Sequence, residues 1–339
     1  KACSGCPSAY FHTGRIGKNE HSNLFGIHSL GSRTLEHHFG NFGLRCGRTE
    51  RPYRQIQLRI IIRIDSSRNF VCCIPCIQSN KKEKADQVRT YALVGKPLSH
   101  SFSQKYFREK FATLGIEADY LLKELPTLCH IREMIVRMPT LQGFNVTMPY
   151  KKDILKYLDS TDNVAKQCGN VNCVKVIRAG EGIQLKGYNT DLYGFSTALK
   201  ERFDLSSIER AVILGSGSVS QTIAFALKQM GIDYKIATRQ TPSDDTCISY
   251  ERLNSSLGDY QLIINSTPCG MHPLENQIPP IDCNKLQSWH KVFDLIYNPG
   301  TTPLLQIARQ KGCETTNGYR MLVLQAEQSW QIWQTDKEK

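Results

Sequence analysis

A lysine, an aspartate, several amides and several hydroxyls lie close together in this sequence, all at turn-like positions. Gly143-Phe-Asn-Val-Thr-Met-Pro-Tyr-Lys151 places an ammonium just past a Met-Pro turn, and Gly187-Tyr-Asn-Thr-Asp191 ends on a carboxylate. Polar groups gathered on loops serve function more often than folding. Reducing a ketone by hydride transfer requires a proton for the developing alkoxide and a cation near that oxygen. Lys151 can supply both, and Asp191 can position the ammonium and share its proton traffic. Each residue also has a plainer reading. A lysine after a proline turn is ordinary, and Asp191 could cap a helix over residues 192–203.

A second chemical signal follows. Val212-Ile-Leu-Gly-Ser-Gly217 reads as a buried strand running into a glycine-rich turn, Gly215, Ser216, Gly217, Ser218, Val219, Ser220, with a helix after it. Glycines let backbone N–H groups approach a pyrophosphate, and the helix N-terminus favours the anion. The third glycine of the usual pattern is absent, with Ser218 and Ser220 near its place. At the end of the next strand an acid would select the ribose diol of NAD, and an arginine the 2′-phosphate of NADP. Thr238 and Arg239 stand there with no acid, and a guanidinium suits a phosphate. The cofactor expected is NADP(H).

Two α/β units must position these groups. The first reads as a strand at residues 90–95, a helix capped by Ser103 and ended at Gly115, and a strand at 118–122. A helix at 128–137, a strand at 143–146 and a hairpin of 171–177 with 182–187 complete it. The second reads as a helix at 192–203, a strand at 211–214, a helix at 219–230 and a strand at 234–237. Apolar runs at 261–265 and 291–295, and a helix opened by threonine capping with proline at 301–305, extend it into a doubly wound nucleotide-binding half. A last apolar-faced helix, 321–333, must dock on one of them. The expected fold class is therefore α/β. A substrate-binding unit (89–190) precedes a Rossmann-like NADP-binding unit (191–317), and a C-terminal segment (318–339) returns to the first.

Composition separates the first quarter from the rest. Residues 1–88 hold 14 Lys/Arg against 6 Asp/Glu and 6 of the 13 cysteines, and contain no Met; the remainder carries a net charge of only +4. A near-neutral surface over the two units argues against a nucleic-acid groove there. Residues 1–88 show no sustained period. They read as an extension of unknown structure, as sequence with no selected fold, or as an Arg-rich linker or targeting segment. A zinc or nucleic-acid module would rest on Cys3, Cys6, Cys73, Cys76, His37 and His38, but its Cys pairs are 66 residues apart, far from ribbon spacing. No metal is expected. The apolar runs fall short of the roughly 20 residues that span a bilayer. Scattered single cysteines and the lack of a leader pattern give a reduced, cytoplasmic protein as the expectation.

With those residues in view, the chain resembles the shikimate dehydrogenase family from about Tyr91 to Trp333. The matching blocks are Pro97-Leu-Ser-His-Ser-Phe-Ser103, Asn145-Val-Thr-Met-Pro-Tyr-Lys151, Gly169-Asn-Val-Asn172 and Gly187-Tyr-Asn-Thr-Asp191. They continue with Asn265-Ser-Thr-Pro-Cys-Gly-Met271, Asp294-Leu-Ile-Tyr-Asn-Pro299, Asn317-Gly-Tyr-Arg-Met321 and Gln325-Ala-Glu. The resemblance implies reversible NADPH-dependent reduction of 3-dehydroshikimate to shikimate, in aromatic amino-acid biosynthesis. It implies Lys151 and Asp191 as the catalytic pair. Ser99 and Ser101 would hold the substrate carboxylate with Tyr297 nearby, and Thr147, Asn172 and Gln325 would hydrogen-bond ring hydroxyls. Gly318 and Met321 would lie at the cleft edge near the nicotinamide. The partner is a small molecule, and the state a monomer or homodimer. Tyr319-Arg320 replace the small or apolar residues common in the family. Two alternatives remain: a quinate/shikimate dehydrogenase using NAD, or a catalytically silent binding protein on this fold.

Overall fold

In this computed structural model the described residues are 63–64, 70–71, 88–98, 101–180, 182–240 and 244–335. The chain divides into two compact units, 1–83 and 84–339. In the first, the described part is an antiparallel ladder of β1 (Arg63–Ile64) and β2 (Phe70–Val71). The Cys and His residues considered for zinc lie outside the described residues. Among the described residues no group of three or more metal-ligating side chains forms, and no helix is long and apolar enough to cross a membrane.

The second unit holds two six-stranded sheets. The first is built from β3 (Arg89–Gly95), β4 (Ala118–Glu124), β5 (Leu141–Val146), β6 (Ser160–Thr161), β7 (Cys173–Ala179) and β8 (Gly182–Tyr188). Their order is β4-β3-β5-β7-β8-β6. β3 runs parallel to β4 and β5, whereas β7 is antiparallel to β5 and β8. Tyr91, Ala92, Leu93 and Val94 are all buried, as a central strand covered on both faces requires. On one face Ala92, Val94, Phe144 and Val146 pack with Ile131 and Ile135 of α2 (Ile131–Arg137). On the other, Tyr91 and Leu93 pack with Phe107 and Phe111 of α1 (Phe102–Leu114) and with Ala326 and Trp333. Those last two come from the C-terminal helix, so the end of the chain completes the first core.

The Ser103 cap expected for α1 is misplaced by two residues. Ser101 holds the N-cap position without a side-chain cap bond, and Phe102 is already helical. Gly115 ends the helix in the left-handed region at φ +61°, as expected of a C-terminal glycine. The segment read as a helix from 128 starts as a 3-10 turn over 128–130 before α2. A short α3 (Asn163–Cys168) precedes β7.

The second sheet contains β9 (Arg210–Leu214), β10 (Asp233–Thr238), β11 (Cys247–Ser249), β12 (Leu262–Asn265), β13 (Lys291–Asp294) and β14 (Glu314–Thr316). All run parallel in the order β11-β10-β9-β12-β13-β14. This is the dinucleotide-binding order, with its direction reversing between β9 and β12. Alternate residues face opposite layers. Ala211 and Ile213 pack under α4 (Asp191–Arg202) and α5 (Ser218–Gln229), while Val212 and Leu214 pack with α6 (Tyr250–Ser255) and α7 (Pro303–Gln310). Thr302 caps α7 by accepting from the Leu305 N–H, with Pro303 at the first helical position. α8 (Tyr319–Gln334) serves both sheets. Its Met321 and Leu324 lie in the α4–α5 layer, and its Trp333 donates Nε1–H to the Val174 carbonyl at 3.1 Å.

Candidate active site

Lys151 leaves the turn after β5, and Asp191 is the first residue of α4. Their side chains meet: Lys151 Nζ donates to Asp191 Oδ2 at 2.7 Å, with the two side chains only 12% and 7% exposed. The other carboxylate oxygen, Oδ1, accepts from Asn172 Nδ2 at 2.8 Å. Asp191 is therefore not the helix cap. Thr190 holds the N-cap position without a side-chain cap bond, and Asn189, one residue earlier, accepts from the Leu192 N–H through its Oδ1 at 3.1 Å.

Asn172 organises the rest. Its Oδ1 accepts from the Thr190 N–H at 2.7 Å, and its Nδ2 reaches Thr190 Oγ1 at 2.9 Å and Gln325 Oε1 at 3.4 Å. Thr190 Oγ1 also lies 3.2 Å from Ser329 Oγ, to which Asn145 Nδ2 donates at 2.9 Å. Tyr120 completes the line by donating to Asn145 Oδ1 at 2.8 Å; its burial raises the phenol pKa well above the ordinary value. Five segments thus fix Asp191 through neutral buried groups. Thr190, Asn145 and Ser329 were not singled out from sequence. Thr190 sits inside the quoted block beside Asp191, but nothing in the sequence aims Ser329 at it.

The remaining substrate candidates lie on three further segments. Ser101 Oγ, at the start of α1, is buried with no hydrogen-bond partner among the described residues. Ser99 lies outside the described residues. Ser103, read from sequence only as a cap, is half-buried inside α1 and faces the Tyr120 phenol. Thr147 is half-buried on the turn after β5, its N–H donating to the Val94 carbonyl at 2.9 Å. Gly95 permits that approach, because a Cβ there would lie 2.3 Å from Thr147 Cγ2. Tyr297, on the loop after β13, meets the Phe102 ring edge-on with centroids 5.9 Å apart, and burial raises its phenol pKa.

The glycine turn joins β9 to α5 at the point where strand order reverses. Gly215 adopts φ +98°, and its N–H donates to the Ala237 carbonyl of the neighbouring strand at 2.9 Å. Ser216 and Gly217 are exposed, and a Cβ built on Gly217 would touch nothing within 4 Å, leaving open backbone at the helix start. Ser218 and Val219 are half-buried. Ser220, in the place of the third glycine, is fully buried. Its hydroxyl donates to the Gly215 carbonyl at 2.8 Å and lies 2.9 Å from Ser266 Oγ. A serine fits here because that hydroxyl is satisfied inside the turn. Thr238 is buried at the end of β10, and Arg239 is exposed without a hydrogen bond or ion pair among the described residues. Such a turn with an exposed arginine beside it fits a dinucleotide bearing a 2′-phosphate. Gly318 lies against the Leu295 backbone so closely that a Cβ would fall 1.9 Å from its carbonyl oxygen. Met321 is buried, its carbonyl 2.7 Å from where Gly194 would carry a Cβ.

A parallel sheet in this order, an open glycine turn at its switch point and a buried Lys–Asp pair define a dinucleotide-dependent dehydrogenase. The shikimate dehydrogenase (NADP(+)) of Methanococcus maripaludis is 34% identical over 261 residues, 73% of this chain and 92% of that protein. This chain belongs to the shikimate dehydrogenase family. The family profile described as shikimate dehydrogenase substrate binding domain matches residues 93–174. Among solved structures, a chorismate mutase/shikimate 5-dehydrogenase fusion protein from Clostridium acetobutylicum superposes with a TM-score of 0.65 at 32% identity. It covers 74% of this chain and 94% of that one. The shikimate 5-dehydrogenase of Thermus thermophilus, solved with NADP(H) and shikimate, superposes with a TM-score of 0.64 at 26% identity, covering 73% and 93%.

Proposed function

We propose that this chain catalyses the reversible NADP(H)-dependent interconversion of 3-dehydroshikimate and shikimate, with Lys151 and Asp191 as its proton-transfer pair. The observation that carries the reading is the 2.7 Å Lys151–Asp191 contact, fixed from behind by Asn172. NADPH supplies the hydride when bound. In ketone reduction, Lys151 Nζ–H donates to the carbonyl oxygen as negative charge grows there. Asp191 holds the ammonium, and in alcohol oxidation the pair takes the hydroxyl proton. Thr147, Asn172 and Gln325 are assigned to ring hydroxyls, which suits a site lined by short amides and hydroxyls. Hydrogen bonds to those hydroxyls would favour the substrate over analogues that lack them.

Ser101, Ser99 and Tyr297 are assigned to the substrate carboxylate. The Ser101 hydroxyl at the N-terminus of α1, without a hydrogen-bond partner among the described residues, supports this, since the N–H groups at a helix N-terminus favour an anion. Ser216, Gly217, Ser218, Val219 and Ser220, with Gly215, form the pyrophosphate seat, Thr238 and Arg239 take the 2′-phosphate, and Gly318 and Met321 flank the nicotinamide. We place the substrate-binding segment at 89–190, the cofactor-binding segment at 191–317 and the returning helix after it. A cytoplasmic location and a monomeric or homodimeric state complete the proposal.

One assay tests it. Shikimate with NADP+ should give the absorbance of reduced cofactor, and Lys151→Ala should lower kcat by about 10³-fold, the scale of a lost general acid. No reduced cofactor with shikimate, or near-normal turnover in Lys151→Ala, would overturn the assignment.

A further inference from the structure

Asn170 lies two residues before Asn172 and is fully buried, yet neither the catalytic pair nor the glycine turn includes it. Its Nδ2 lies within donating distance of three acceptors: Cys168 O at 3.0 Å, and Ser218 O and Thr222 Oγ1 at 3.1 Å each. Its Oδ1 accepts from Asn189 Nδ2 at 2.9 Å. Asn189 Nδ2 also reaches Thr222 Oγ1 at 3.1 Å, and Asn189 Oδ1 accepts from the Leu192 N–H at the start of α4. Thr222 is fully buried and Asn189 is 6% exposed.

These three side chains join three segments with different tasks. Ser218 and Thr222 belong to the first turns of α5, where the pyrophosphate seat is assigned. Asn189 sits two residues before Asp191 and sets the start of α4. Asn170 shares its loop with Asn172, which holds the Asp191 carboxylate. The groups are neutral and buried, so their hydrogen bonds are short-ranged and directional, and they impose one arrangement of α5 against the 169–172 and 189–191 loops.

We propose that Asn170, Asn189 and Thr222 form a positioning unit that sets Asp191 and Asn172 in register with the cofactor helix. This rests on the reading of the site given above. None of the three needs to touch substrate. Their effect is on alignment, where a displacement of about 1 Å can cost about 10²-fold in rate.

Thr222→Val tests this, because it keeps the shape and removes the oxygen shared by both amides, while Thr222→Ser keeps that oxygen. In Thr222→Val, kcat for shikimate oxidation should fall by about 10- to 100-fold, while NADP+ affinity measured by calorimetry changes by less than about threefold. Amide exchange at Leu192, whose N–H rests on Asn189 Oδ1, should accelerate. Thr222→Ser should restore all three measurements. Asn170→Ala, the second variant should Thr222→Val fail to fold, should lower kcat in the same way. The proposal is overturned by parental kcat and Leu192 exchange in Thr222→Val, by parental kcat in Asn170→Ala, or by a Thr222→Ser as impaired as Thr222→Val, which would trace the effect to the methyl group. An active parent beside an unaffected variant removes this inference alone. A parent without turnover removes it together with the functional reading.

Discussion

At the scale of single residues, Arg239 is the sharpest case. It extends from the strand beside the glycine turn, with no hydrogen bond or ion pair to hold it among the described residues. A hydrogen bond to a charged group contributes about 1.5–3 kcal/mol, or roughly 10- to 100-fold in affinity. Arg239→Ala should therefore raise KM for NADP+ by that factor and leave KM for NAD+ nearly unchanged. Parallel steady-state titrations with the two cofactors check this, and equal loss with both would remove the 2′-phosphate role. The carboxylate of Asp191 makes the opposite point about legibility. Its partners Asn172 and Lys151 lie 19 and 40 residues away, outside any helical or turn spacing, so the local pattern alone leaves the cap reading open. What excludes that reading is Asn189, which takes the Leu192 N–H and frees both Asp191 oxygens for Lys151 and Asn172.

Among elements, the ends of β12, β13 and α7 are tied by one buried carboxylate. Asp294 accepts from Asn265 Nδ2 at 3.0 Å, the Ile296 N–H at 3.0 Å and Thr302 Oγ1 at 2.6 Å. Burial nevertheless dominates, and the Asp294 pKa is raised from 3.8 to about 6. A carboxyl that binds its proton more tightly when folded stabilises the fold at low pH and loses that contribution as pH rises. The window here runs from about 4 to 6, with a magnitude of order 3 kcal/mol. Asp294→Asn should flatten the pH dependence of the melting temperature across that window; an unchanged slope would place the titration elsewhere. Close contact of β5 with α8 gives a second expectation. A Cβ on Gly143 would fall 2.3 Å from Trp333 Nε1 and 2.8 Å from the Val174 carbonyl. Gly143→Ala should destabilise by about 1–3 kcal/mol in a urea titration, the usual cost of overpacking. The strand–glycine–helix unit at 210–229 was readable in the sequence because all three parts carry a local signal. By contrast α3, α6, β11 and β14, at three to six residues, are too short for any period to show. Ser101 and Ser103 satisfy the same capping rule, and only the observed start at Phe102 separates them.

For the whole molecule, both site halves and both cores lie in the unit spanning 84–339. A chain beginning at residue 89 should keep parental kcat and KM, since every assigned residue lies beyond that point. A loss of activity on removing 1–88 would give that segment a role in the reaction. The two sheets were foreseeable from alternating strand and helix signals, but the Tyr297–Phe102–Tyr319 ring contacts that link their segments were not. Phe102 meets Tyr319 edge-on with centroids 5.6 Å apart, and Arg320 pairs with Glu201 through bonds of 2.6 and 2.8 Å. Together they anchor the start of α8 to α1 and α4, which gives a physical account of two residues that depart from the family pattern.

That last helix has a consequence for how the protein is made. As the chain leaves the ribosome, all six strands of the first sheet emerge long before Trp333, so Tyr91 and Phe107 wait without the tryptophans of α8 that pack on them while the entire nucleotide-binding half is translated. A premature stop anywhere in the cofactor half would release a polypeptide with that aromatic surface bare. Exposed apolar surface of this kind is what makes an incompletely folded chain prone to aggregate.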